Sequence, residues 1–367
     1  MSPRDIGRAG GSASSRDARI DVARGLGILL VVLGHNDLFH HRFQDAYRAV
    51  YLFHVPLFFF LSGYVFKPAD GARFLRRTGL RLLLPFVAVS AGAGALYIAL
   101  RGWSVGDVIA GIAWGTGNTL PWDPLWFLPA LFVTLGVANW PPLRALSVLR
   151  ATLIGTALFA LGWLLMAAGP FRLPPFVTTD HKPLGAPWSL DLLPLTLLFA
   201  GLGQRLRASH GLDRVAPLVL TVAGAILLGI ALGAGATFDL NFRRALPYPL
   251  ALMGAIGGIG LALGLAGLLA QLAPTRRALS LLGEHSLIIL LFHSSIQGAV
   301  LKRFDAAAGL PTLLLAIALG LLAGMLLPLL VGRFVVRRSA VASLLLGENP
   351  GAGAQARAID PAGTRTS

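Results

Sequence analysis

Apolar residues run through this chain in long blocks, not in alternation. Runs near the roughly 20 residues that a helix needs to cross a bilayer fall at 20–38, 47–66, 80–100, 124–140, 151–169, 188–204, 215–235, 248–270, 279–300 and 312–332. They predict an all-α polytopic membrane protein with about ten transmembrane helices and both termini in the cytoplasm. The runs leave no room for a separate soluble domain, so one membrane domain is expected over 18–338. Residues 1–17 and 339–367 flank it as disordered cytoplasmic segments, the second ending in the Gly/Ala/Pro-rich "GENPGAGAQARAIDPAGTRTS". The first apolar run has no small-x-small exit site and is read as a retained helix.

Composition agrees. Of 367 residues, 55% are hydrophobic and 13% charged, a balance foreign to a water-soluble domain of this size. Lys and Arg concentrate in alternate loops: Arg4 to Arg19, Lys67 to Arg81, Arg144 with Arg150, Arg205 to Arg214, Arg276 with Arg277, and Arg333 to Arg338. These are the predicted inner segments, because cytoplasmic loops retain positive charge. The net charge of +15 therefore calls for an anionic membrane leaflet and no nucleic acid. Cysteine is absent, which excludes disulfides, thiol nucleophiles and cysteine-ligated metals. The Gly/Ala-rich "GAIGGIGLALGLAGLLA" at 254–270 points to close helix packing.

Ionisable side chains inside membrane spans are candidate functional groups. The first span carries Asp21, Arg24 and His35. Arg24 and His35 are eleven residues apart, close to three turns, so they share a face and are separated by about 16 Å along the axis. Asp21 lies three residues before Arg24, where the two can pair. The second span, "YRAVYLFHVPLFFFLSGYVF", brings His54 to a similar depth. The ninth, through "LGEHSLIILLFHSSI", brings His293, with Glu284 and His285 near its inner end. A lone buried histidine is usually just a hydrogen-bonded core residue; three at one level are more specific. No carboxylate stands at ligand spacing beside them, so no metal site is expected.

The second cluster is "KPADGARFLRRTGLRLLLPF", residues 67–86, with Arg73, Arg76, Arg77 and Arg81 at helical spacings. Guanidinium forks suit phosphate, although such a cluster also suits lipid headgroups. Trp126 in "WDPLWFLPAL" is either an interfacial anchor or a ring on which a sugar stacks. Together these groups would let a long phosphorylated donor keep its charged end at the arginines and extend its reactive end to a histidine base. A multi-span transporter or flippase of a glycan or lipid-linked substrate is the alternative from another class, although no repeated halves are evident.

"RIDVARGLGILLVVLGH" (19–35), "FHVPLFFFLSGYVF" (53–66), "RLLLPF" (81–86), "LWFLPALF" (125–132) and "LGEHSLIILLFH" (282–293) resemble the acyltransferase-3 family of membrane acyltransferases, and within it the fucose 4-O-acetylase-like branch. The resemblance runs from about 19 to 335. It implies transfer of an acyl group, usually acetyl from acetyl-coenzyme A as co-substrate, to a hydroxyl of a cell-surface or lipid-linked glycan. It also implies a multi-pass protein of the bacterial inner membrane with no bound cofactor. Arg24 and His35 match the family's essential first-helix positions, with His35 as base and Asp21 and Asn36 beside them. The family's paired arginines match Arg73 and Arg76 by spacing, or Arg77 and Arg81 by position relative to Pro85. His54, Ser62, Trp126, Glu284 and His293 are substrate-site candidates, and Asn36, His54 or Ser62 would stabilise an oxyanion. Oligomeric state is left open by the sequence.

Overall fold

A computed structural model describes residues 17–144, 147–168, 185–305, 309–334 and 338–347. The expected N-terminal segment up to residue 16 and the end of the tail from 348 lie outside the described residues. Asp17 opens α1 (Ala18–Gly34) by accepting the Arg19 N–H at 3.0 Å, which satisfies a donor that the helix start would leave unpaired. α1 stops at Gly34 and does not run on to residue 38, and His35 stands at its C-cap. Asn36 caps α2 (Asp37–Arg42), which turns the chain into α3 (Gln44–Val65). α4 (Gly71–Arg101) contains a π-helical turn at Leu75–Gly79. There follow α5 (Val105–Trp114), α6 (Phe127–Ala138), α7 (Val148–Ala167), α8 (Leu193–Ala208) and α9 (Pro217–Gly233). A hairpin of β1 (Thr237–Asp239) and β2 (Arg244–Leu246), pairing Phe238 with Ala245, precedes α10 (Tyr248–Leu269). The chain then forms α11 (Ala273–Glu284), α12 (Ser286–Leu301), α13 (Leu310–Phe334) and α14 (Ala340–Leu345).

Every predicted apolar stretch carries helix, but helix length supports fewer crossings than ten. Among the described residues, five helices are long and apolar enough to span a bilayer, or six if α11 and α12 count as one broken span. That pair corrects the ninth stretch: it is bent by 79°, and His285 serves at once as C-cap of α11 and N-cap of α12. A second difference is α14, which is helical within the segment expected to be a disordered tail. The protein is a multi-pass all-α membrane protein. Its outward faces are apolar, with Leu149, Leu164 and Leu218 more than half exposed, as hydrocarbon solvent allows and water does not.

Small residues bring the helices together. At Gly224 and Gly264 a Cβ would strike the backbone of the facing helix, so α9 and α10 meet main chain to main chain. Gly25 and Gly283 do the same where α1 crosses α11. In lipid, dispersion gained by such close approach replaces the hydrophobic drive that water would supply. The core between helices is aromatic and aliphatic: Phe59, Phe86, Phe199 and Phe238 are fully buried.

The hairpin is fastened by one arginine. Arg243 is 4% exposed and sits at φ 54°. Its Nε and Nη2 donate to the Asp191 carboxylate at 3.0 and 3.2 Å, Nη2 also to Ser189 Oγ at 3.0 Å, and Nη1 to the Asn241 carbonyl at 2.8 Å. A buried fork of this kind is costly to break from one side, because the partner carboxylate stays buried and unpaired. Arg243→Ala is expected to cost about 3–5 kcal/mol and to lower the thermal midpoint in detergent, whereas Arg243→Ala with Asp191→Ala costs less than the two singles summed. An unchanged midpoint in Arg243→Ala would show that the clamp does not hold the hairpin.

Candidate active site

Three imidazoles meet where α1 ends. The His35 ring centroid lies 5.0 Å from that of His293 and 6.5 Å from that of His54, each pair edge to face. Each ring is tied to its own helix in the same way: Nδ1 meets the Val31 carbonyl at 2.8 Å in His35, the Val50 carbonyl at 3.0 Å in His54, and the Ile289 and Leu290 carbonyls at 3.0 Å in His293. A carbonyl only accepts, so Nδ1 carries the proton. With the proton on Nδ1, the uncharged form of the ring carries its lone pair on Nε2. The three histidines expected at one level are brought together in the fold.

His35 and His54 line one end of a cavity of about 750 Å³. Arg24, on the His35 face of α1, lines it further along, and the other end carries Lys67, Arg76, Arg77 and Arg81. Arg76 and Arg77 stand on the π turn, and Arg81 follows Arg77 at the i, i+4 spacing of helix neighbours. Arg73 is elsewhere. Its Nε approaches Asp70 Oδ2 at 3.4 Å on the exposed surface, and its backbone N–H, bonded to Asp70 Oδ1 at 2.9 Å, holds that carboxyl below its usual range. Of the two pairings open from the sequence, strict spacing puts Arg73 off the cavity, and position relative to Pro85 puts both Arg77 and Arg81 on it.

The remaining candidates divide. Ser62 and Trp126 line the cavity, Trp126 being 4% exposed. His293 is fully buried behind His35. Asp21 lies outside the lining of this cavity and faces a neighbouring one. Asn36 is engaged in structure: its Oδ1 accepts the Phe39 N–H at 3.0 Å and its Nδ2 points to the Ile317 carbonyl at 3.5 Å. Glu284 is exposed at the end of α11 and does not line the cavity. Among the expected oxyanion donors, His54 gives its N–H to Val50, and Ser62 is eight residues along α3, about 12 Å from His54. No group of three or more His, Asp or Glu has metal-holding geometry among the described residues.

Several residues that pattern alone passes over also belong here. Gln297, one turn beyond His293, is fully buried, and both its amide atoms lack a hydrogen-bond partner, as does His293 Nε2. Tyr47, Tyr51 and His54 fall at i, i+4 and i+7 of α3 and form a column of rings, 4.1 and 4.6 Å between centroids, with His40 on Tyr47 at 3.9 Å. Their spacing is legible in the sequence, but their neighbours are not. Asp239 of β1 lies within the electrostatic reach of His35, and burial pushes its carboxyl up. At the other end, Leu344 of α14 and Gly347 just beyond it line the cavity, and a Cβ on Gly347 would stand 2.6 Å from the Arg81 carbonyl oxygen.

Residues 17–333 match the family model described as an acyltransferase domain, acyltransferase 3. The chain belongs to this family. Nodulation protein NolL of Sinorhizobium fredii (strain NBRC 101917 / NGR234) is 35% identical over 99 residues, which cover 23% of this chain and 26% of that protein. The matched part is therefore about a quarter of that relative's length. No solved structure matches the chain.

Gln297 separates a packing role from a chemical one. Unpartnered buried polar atoms cost about 1–3 kcal/mol each, so Gln297→Leu is expected to leave the thermal midpoint unchanged or raise it while lowering acyl transfer. A lowered midpoint would show that the amide is satisfied and structural.

Proposed function

We propose that the protein moves an acyl group, most simply acetyl, from cytosolic acyl-coenzyme A to a hydroxyl of a cell-surface or lipid-linked glycan at the opposite face of the inner membrane, with His35 as general base. The observation that carries this reading is a single cavity with arginines at one end and the His35 and His54 rings at the other. The glycan acceptor follows the resemblance to the fucose 4-O-acetylase-like branch.

Arg76, Arg77 and Arg81 offer bidentate donors for the coenzyme's phosphates. Arg24 stands about 16 Å short of His35 along α1, a distance that an extended phosphopantetheine arm covers. The thioester then lies at the histidine end. His35 Nε2 takes the acceptor hydroxyl's proton, the oxygen attacks the thioester carbonyl, the C–O bond forms as the C–S bond breaks, and the proton passes to the departing sulfur. An acyl-histidine relay through the same Nε2 balances equally well. The Nδ1–H bond to Val31 fixes the tautomer that either route needs.

Mass spectrometry of glycans from cells expressing the wild type or His35→Ala tests the base. His35→Ala is expected to lower transfer by about 10²–10⁴-fold at equal membrane level, and retained acylation would remove His35 from the chemistry. Kinetics separate the arginines. Arg77→Ala and Arg81→Ala should raise KM for acyl-coenzyme A about tenfold or more, as loss of a charge-assisted hydrogen bond does, while Arg73→Ala leaves it unchanged. The opposite order would restore the Arg73–Arg76 pairing.

A further inference from the structure

A second cavity, about 1540 Å³, adjoins the first and shares Arg24, Lys67 and Arg81 with it. Its walls divide by chemistry. Along α7 and α8 they are hydrocarbon, with Ile154, Leu158, Leu197 and Leu198. At the end nearest the arginine cluster, Arg205 and Arg207 join the three shared cations, five positive side chains against the carboxylates of Asp17 and Asp21. Asp17 accepts the Arg19 N–H. Arg207 lies over the Tyr64 ring and donates to the Tyr64 carbonyl at 3.1 Å. Arg205 is exposed and has no ion-pair partner among the described residues.

Two glycines set the width of the apolar part. Gly155 on α7 and Gly201 on α8 both line it, and neither has an atom within 4 Å of the place a Cβ would occupy. Gly63 and Gly203, on the neighbouring crossing of α3 with α8, instead press on the opposite backbone. Close packing thus accounts for one pair. It does not account for the other, whose missing side chains leave a groove open between two helices.

A soluble anion gains nothing from the hydrocarbon wall, and an uncharged lipid gains nothing from the cations. An amphiphile with an anionic head and acyl tails uses both. We propose that this groove binds one anionic membrane phospholipid, its phosphate held by Arg205 and Lys67 and its tails lying along Gly155 and Gly201. The site does not rest on the identity of the acyl donor, since its readout is bound lipid.

Native mass spectrometry of the full-length protein in detergent tests it, with phosphatidylglycerol, phosphatidylcholine and palmitoyl-coenzyme A added separately and inorganic phosphate added as competitor to phosphatidylglycerol. Phosphatidylglycerol is expected to be retained over phosphatidylcholine, unaffected by inorganic phosphate, and to bind about tenfold more weakly to Arg205→Gln. Gly155→Trp with Gly201→Trp, whose new side chains start in open space, should lose the lipid. The surface variant Arg205→Gln keeps the test valid should the double variant fail to fold. Equal retention of both lipids, lipid retained in the filled groove, or binding of palmitoyl-coenzyme A alone would overturn the proposal.

Discussion

Hydrocarbon offers no hydrogen bonds, and the architecture follows from that constraint. A polar group placed among these helices must be paired, turned into a cavity or kept for a reaction. The imidazoles of His35, His54 and His293 meet half of this demand with their own backbones, each giving Nδ1–H to a carbonyl one turn back. In His35 and His54, which line the cavity, the other half, Nε2, is left for whatever enters. The same bond that makes a histidine tolerable in the membrane thus fixes which nitrogen can act as a base.

Packing lets these groups converge. Backbone contact through Gly25 and Gly283 draws α11 against α1, and the 79° bend after Glu284 redirects the chain so that α12 delivers His293 behind His35. A straight ninth helix would serve the hydropathy pattern equally well, and its nine-residue interval would already keep Glu284 about 13 Å from His293. At the arginine end, Arg76, Arg77 and Arg81 line the cavity while Arg73 turns to Asp70.

Much of this was legible in the sequence. Hydropathy located the helices, and the eleven-residue interval put Arg24 and His35 on one face, because a helix repeats every 3.6 residues whatever surrounds it. Local periodicity carries no information about breaks set by tertiary contacts. Hence the early end of α1, the bend at His285 and the clamp from Arg243 to Asp191, 52 residues apart, were not foreseen. Asn36 illustrates the limit most sharply: beside a catalytic candidate it reads as chemistry, but its side chain caps α2. Gln297 is the converse, an unremarked amide that the fold buries next to His293 with nothing to bond.

The central claim is that one cavity joins a phosphate-binding end to a histidine base. The structure of the protein with a non-hydrolysable thioether analogue of acetyl-coenzyme A tests it most directly. The expected result is phosphates within hydrogen-bond distance of Arg76, Arg77 or Arg81, and the acyl carbonyl at the His35 end of the cavity, one acceptor oxygen's distance from Nε2, so that a hydroxyl bonded to Nε2 would stand roughly 3–3.5 Å from the carbonyl carbon. An analogue bound with its acyl end remote from His35, or with its phosphates away from those arginines, would contradict it.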